Sequence, residues 1–261
     1  MSAPDAGRLW EVDVVRTLAI AMMVVYHGAY DVSQLAPSVP VDPFDPGWRA
    51  LQVACGSTFL FVVGVSLAIS NGRGRARGLR GVDLYRRHLR RALQVAAGAA
   101  LVSLVTWLTL GDQWIRFGVL DCIAVGMLIG PLLLPLRWWN VPLGAIVIAV
   151  GFWLETTPPS DVPGLFALGV KQTGPVPADW YPVMPWLGMM MIGLAVGLAL
   201  YPEGQRGPWA HRLREPGFSR ALGAPGRHSL PIYLVHQPLL IPLVAAALAL
   251  AGVGVSWGGF G

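Results

Sequence analysis

Of the chain's 261 residues, 54% are apolar and only 13% charged, about half the charge that a water-soluble core of this size carries, so a soluble globular fold is excluded. The formal charge of +5 would suit a nucleic acid, but the basic residues fall in short segments between apolar runs, which is a topology signal and not a binding face. Cys55 and Cys122 lie inside apolar stretches with no CxxC and no His/Cys spacing fit for a metal, so packed free thiols are expected and no metal.

The expected fold is all-α, a polytopic membrane helix bundle forming one transmembrane domain over 1–261. About seven spans are drawn at 12–30, 50–70, 89–110, 117–136, 139–155, 184–201 and 229–250, most near the ~20 residues a bilayer needs. The first is expected to be a permanent span and not a cleaved signal, since Asp13 and Arg16 interrupt it and no small-residue cleavage site follows. With the amino terminus cytoplasmic, Arg73, Arg75, Arg77, Arg80, Arg86, Arg87, Arg90 and Arg91 fall in an inner loop at 71–91. Arg137, Arg206, Arg212, Arg214, Arg220 and Arg227 join them inside. Outside remain Arg49, Arg116 and Lys171 among seven acidic residues, and the carboxyl terminus is outside.

The first span, WEVDVVRTLAIAMMVVYHGAYD, is the most informative. Arg16 and His27 are eleven residues apart, which puts them nearly in line and ~16 Å apart on one helix face. Ionisable residues in a span face the bundle interior or mark a functional path. Two readings stand for Arg16, a place on that path or snorkelling to the headgroups beside Asp13. His27 lies one turn before Asp31, a spacing at which a carboxylate can fix the imidazole tautomer; a buried histidine bonded to a backbone carbonyl is the alternative.

The second span offers Gly64, Ser66 and Ala68 for close packing. In the fourth, Arg116 sits at the outer interface and Asp121 ~7 Å deeper on another helix face, so each needs a partner elsewhere. Tyr181, Pro182, Pro185 and Trp186 open the sixth, beside long outer loops at 31–49 and 156–183 that are either lids or aromatic belts. The seventh begins Gly226, Arg227, His228 and Ser229, with Ser229 read as the N-cap and the helix start as an anion site. Ser229, Tyr233 and His236 then share one face, with Gln237 next to it.

The pieces EVDVVRTLAIAMMVVYHGAYD, FLFVVGVSLAIS, IRFGVLDCIAVG, YPVMPWLG and LGAPGRHSLPIYLVHQP, in this order, resemble the bacterial branch of the heparan-alpha-glucosaminide N-acetyltransferase catalytic-domain family. The first span and GRHSLPIYLVHQP carry the most specific likeness. The resemblance implies an enzyme of the multi-pass inner membrane that moves an acetyl group from cytoplasmic acetyl-CoA to a sugar amine or hydroxyl outside. Animal members look to carry Asn where this chain has His27, with their histidine in the next loop; residues 28–87 hold no histidine here. If that region supplies the catalytic histidine, it is His27.

On this reading His27 is the base oriented by Asp31, with Arg116, Tyr233, His236 and Gln237 as candidate oxyanion donors. Arg16, Arg227, His228, Ser229 and Tyr233 face the donor, whose phosphates need cations. Asp121, Tyr181, Trp186 and Gln237 are left for the acceptor. Expected partners are the lipid bilayer and a sugar or glycan, with no nucleic acid and with a homodimer left open. The rival is a proton-coupled transporter or flippase using the same polar face. It gains nothing from repeats, since none is visible and seven spans do not divide into equal inverted halves. A retinal protein is excluded because the only lysine, Lys171, is in an outer loop.

Overall fold

The computed structural model of the chain describes residues 8–175, 177–210 and 215–256. Its long helices are α1 (Trp10–Leu35), α2 (Pro46–Ala76), α3 (Gly81–Thr109), α4 (Val119–Leu133) and α5 (Asn140–Glu155). A single turn, α6 (Leu165–Leu168), precedes α7 (Val183–Leu200), and two more, α8 (Ser219–Leu222) and α9 (Ala224–Arg227), lead into α10 (Ser229–Leu250). Among the described residues there is no strand, only an isolated bridge between Phe117 and Trp180.

Among the described residues, six stretches are long and apolar enough to cross a membrane, and one of them runs unbroken from Val119 to Glu155 by composition alone. Geometry breaks it in two. Arg137 adopts φ 48, and the fully buried Asn140 side chain donates at 2.9 Å to the carbonyls of both Leu133 and Arg137, closing a tight turn over Leu134–Trp139. Beyond the turn α5 doubles back along α7, with Gly144 against Gly188 and Gly151 against Pro185, while Gly126 of α4 meets Met190. The fourth and fifth expected spans are therefore separate, antiparallel legs.

Elsewhere the helices outrun the apolar windows. The expected loop at 71–91 shrinks to 77–80, because α2 continues through Arg73 and Arg75 and α3 begins at Gly81, ahead of Arg86, Arg87, Arg90 and Arg91. Arginine is a good helix former with a long stem that reaches water from a helix end, so hydropathy alone sets the boundary too early. Gly78 at φ +82 and Gly81 at φ +49 make the remaining turn, a left-handed backbone that glycine adopts without strain. Arg212 and Arg214 lie outside the described residues.

The centre of the bundle is α2 against α7. A Cβ on Gly64 would fall 2.0 Å from the Met190 carbonyl oxygen, and one on Gly193 2.0 Å from that of Phe61, so the two backbones touch. Leu60, Leu67, Leu187, Met190 and Leu194 fill the space around this contact, closed by Leu120 and Ile123 of α4. On the opposite side α1 packs on α2 and α10, running parallel to α10. Gly226 brings α9 onto α1, since a Cβ there would lie 2.0 Å from the Asp13 carbonyl oxygen. The alternation gathers the arginine-bearing ends of α1, α2, α3, α7 and α10 at one end of the bundle. The loops before α2, α4 and α7 meet at the other.

Candidate functional site

At the loop end a cavity of about 40 Å³ opens between α1, α2, the start of α4, the segment before α7 and α10. α1 contributes Met23, Tyr26 and His27 on consecutive turns of one face, as a 3.6-residue period requires. His27 has its Nδ1 buried without a hydrogen-bond partner among the described residues, and its ring lies edge-on to His236 with centroids 4.9 Å apart. His236 Nδ1 is 2.5 Å from the Tyr233 carbonyl oxygen. A carbonyl only accepts, so Nδ1 carries the hydrogen and Nε2, which is buried without a partner, keeps its lone pair.

Asp31 does not orient His27. Its Oδ1 accepts Gln237 Nε2 at 3.1 Å from α10, and its Oδ2 is buried without a hydrogen-bond partner. The spacing allows the pair, but the Gln237 amide on α10 takes the carboxylate instead. Gln237 is accordingly a brace between α10 and α1.

Three other expected residues also serve elsewhere. Arg116 donates to Gln172 Oε1 and to the Asp112 carbonyl and sits over the Phe166 ring, binding loop to loop away from the cavity. Asp121 is three residues into α4, where its Oδ2 accepts the Gly118 N–H at 2.9 Å and caps the helix. Trp186 backs the ring of Tyr181 at 4.5 Å, and of the two only Tyr181 lines the cavity.

The residue that spacing did not reveal is Asp179. It lies in the long segment before α7, and its Oδ2 accepts the Val119 N–H at 3.1 Å and faces the Tyr233 hydroxyl at 3.5 Å. Removal from water drives its pKa from 3.8 up to about 6, a rise that nearby Asp121 reinforces and the Val119 and Tyr233 bonds only partly offset. The folded protein thus keeps a proton that the unfolded chain releases near pH 4. Stability is present below that pH, falls between pH 4 and about 6, and is level above, by roughly 3 kcal/mol for a rise of that size. Asp179→Asn keeps an acceptor for Val119 and cannot ionise. We expect the wild type to lose thermal stability in detergent between pH 4.5 and 7.5 and the variant to lose clearly less; parallel curves would show that Asp179 ionises freely in the fold.

A second cavity, about 250 Å³, lies toward the arginine end. Arg16, Arg91 and Arg227 stand around it with Ser66, Ser229 and the buried pair Ser70 and His88. Arg16 donates to Asp13 Oδ1 at 2.9 Å and to Ser66 Oγ at 2.5 Å. Asp13 also takes Arg8 at 3.0 Å and has Arg227 at 3.7 Å, so one buried carboxylate holds three guanidinium groups in place. The pairing of Arg16 with Asp13 is thus present, but Asp13 is buried and Arg16 borders the cavity instead of reaching out from the bundle surface.

His88, 1% exposed, and Ser70, 7% exposed, each have a buried polar atom without a hydrogen-bond partner among the described residues. Buried groups of this kind are costly unless something polar enters beside them. His228 is exposed and does not line the cavity. It also takes the N-cap position expected of Ser229, which becomes the first helical residue. The two cavities share Phe59, Val119 and Tyr233, so they meet end to end along α1 at one wall.

A family model described as heparan-alpha-glucosaminide N-acetyltransferase, catalytic, matches residues 8–238. No curated protein matches, and no solved structure does.

Proposed function

Because the chain belongs to the heparan-alpha-glucosaminide N-acetyltransferase catalytic-domain family, a membrane acyltransferase group, we propose that it carries an acetyl group through the bilayer. In this reading the whole chain works as one membrane domain. Acetyl-CoA enters the arginine-end cavity from the cytoplasm, and a sugar hydroxyl or amine receives the acetyl group at the loop end. The arginine asymmetry supports that direction.

The observation that carries the proposal is the pair of neighbouring cavities, one bordered by Arg16, Arg91 and Arg227 and the other by His27, that share Phe59, Val119 and Tyr233. The inner one suits a polyanion with a polar tail: Arg16, Arg91 and Arg227 for phosphates, with Ser70 and His88 supplying hydrogen bonds to phosphate or amide oxygens. The ~16 Å between Arg16 and His27 is about the length of a pantetheine arm. At the shared wall the Tyr233 hydroxyl, 3.5 Å from Asp179 Oδ2, turns to donate to the thioester oxygen as negative charge builds there.

His27 then takes the proton from the acceptor O–H or N–H as that atom bonds to the thioester carbon. The C–S bond breaks, and the imidazolium returns its proton to the leaving thiolate. His236 stands edge-on behind His27, and the Gln237–Asp31 bond ties α10 to α1 beside it.

The test uses the purified protein in vesicles of known orientation, with labelled acetyl-CoA supplied to the arginine face alone and an amino sugar or a neutral sugar to the loop face. Label should appear on a sugar. Label that stays on CoA with every acceptor, in protein that binds CoA, would remove the transferase reading and leave a carrier.

A further inference from the structure

The loop-end cavity is small for a site where two reactants meet. One water-sized position takes ~10–15 Å³, so about 40 Å³ holds roughly three or four such positions. An acetyl methyl, the carbonyl carbon and oxygen, and the attacking atom fill it. The inner cavity is some six times larger, so the restriction begins only past the wall made by Phe59, Val119 and Tyr233.

The sides of this small space are set by packing. Met23 is 3% exposed and Cys55 7%, and the Cys55 thiol donates to the Ala19 carbonyl at 3.5 Å, so it is a piece of wall with a fixed direction. Next to it Gly56 lets the Tyr181 ring press in: a Cβ there would lie 2.4 Å from Tyr181 Cε1. Trp186 packs behind that ring, tilted 41° to it, and the Tyr181 hydroxyl donates to the Gln52 carbonyl at 3.5 Å, so the ring is held from behind and at its tip.

We propose that this cavity is an acyl subsite, and that Met23 and Cys55, with the Tyr181 ring seated on Gly56, limit the transferred group to two carbons. The inference rests on the donor reading above and adds to it which residues set chain length. Inside such a pocket one extra methylene is worth ~10- to 200-fold in discrimination.

The experiment compares acetyl-CoA, propionyl-CoA and butyryl-CoA as donors for the wild type, Met23→Ala and Cys55→Ala, reading the ratio of kcat/KM values within each protein. A ratio cancels the amount of folded enzyme, and Cys55→Ala, the smaller change, gives the same readout if Met23→Ala fails to assemble. The wild type should favour acetyl over propionyl by at least ~10-fold. Met23→Ala should bring propionyl and butyryl close to acetyl, and Cys55→Ala should admit propionyl alone. Equal use of all three donors by the wild type, or unchanged ratios in the folded variants, overturns the subsite while leaving the transferase reading intact. No transfer from any thioester overturns both.

Discussion

Replacing His27 with alanine is expected to lower acetyl transfer by roughly 10²- to 10⁴-fold, the contribution of a positioned base, while acetyl-CoA still binds. Binding and turnover should separate because the cations lie one cavity away, at Arg16, Arg91 and Arg227, and none of them touches the imidazole. The side chain is small and borders a cavity, and its Nδ1 has no hydrogen-bond partner, so its loss breaks no bond in the resting fold. Asp31→Asn should cost much less. Its carboxylate bonds Gln237 and not His27, and asparagine keeps an oxygen for that bond. Stopped assays on both variants, beside calorimetric titration with acetyl-CoA, decide the matter. Full activity in His27→Ala, or activity and binding lost in proportion, would make the residue structural and leave His236, 4.9 Å away, as the imidazole to test next.

The bundle was legible because apolar windows of bilayer length are hard to use in any other way. The last span shows this best: 229–250 is both the apolar run and α10. The boundary at 71–91 was not legible, since hydropathy reports where lipid ends and not where a helix ends. The turn between α4 and α5 was visible only as a drop in apolar density around Arg137; what folds it is Asn140, one amide in an apolar context, whose double bond to Leu133 and Arg137 no periodicity announces.

Within the site, helical spacing places residues of one helix on a common face and says nothing of partners across helices. Arg16 and His27 face their cavities as the 3.6-residue period demands, and Tyr233 stands between them on α10. Spacing failed for Asp31, where a side chain from another helix, Gln237, takes the carboxylate. Asp121 carries a signal that was readable, a carboxylate three residues after a glycine at a helix start, and that signal is structural. Asp179, Ser70 and His88 come from segments with no internal pattern linking them to α1. Two of them show themselves only through polar atoms buried without a partner, which requires a packed structure to see.

Removing Arg16 should have the complementary effect to removing His27. Its guanidinium is anchored by Asp13 and Ser66, so it is held toward the cavity with little conformational freedom left to lose when an anion binds. A hydrogen bond to a charged group is worth about 1.5 to 3 kcal/mol, so Arg16→Ala should raise the acetyl-CoA Kd by roughly 10- to 150-fold. Arg227→Ala should weaken binding as well, since Arg227 borders the same cavity. Salt supplies an independent check. Wild-type affinity should fall as ionic strength rises, and Arg16→Ala, with one cation fewer to screen, should fall less steeply. At saturating acetyl-CoA the Arg16→Ala enzyme should recover most of its kcat, since the imidazole and Tyr233 are unaltered. Should Arg16→Ala instead bind normally and turn over slowly, Arg16 would act on the chemistry and the donor phosphates would lie against Arg91 and Arg227 alone.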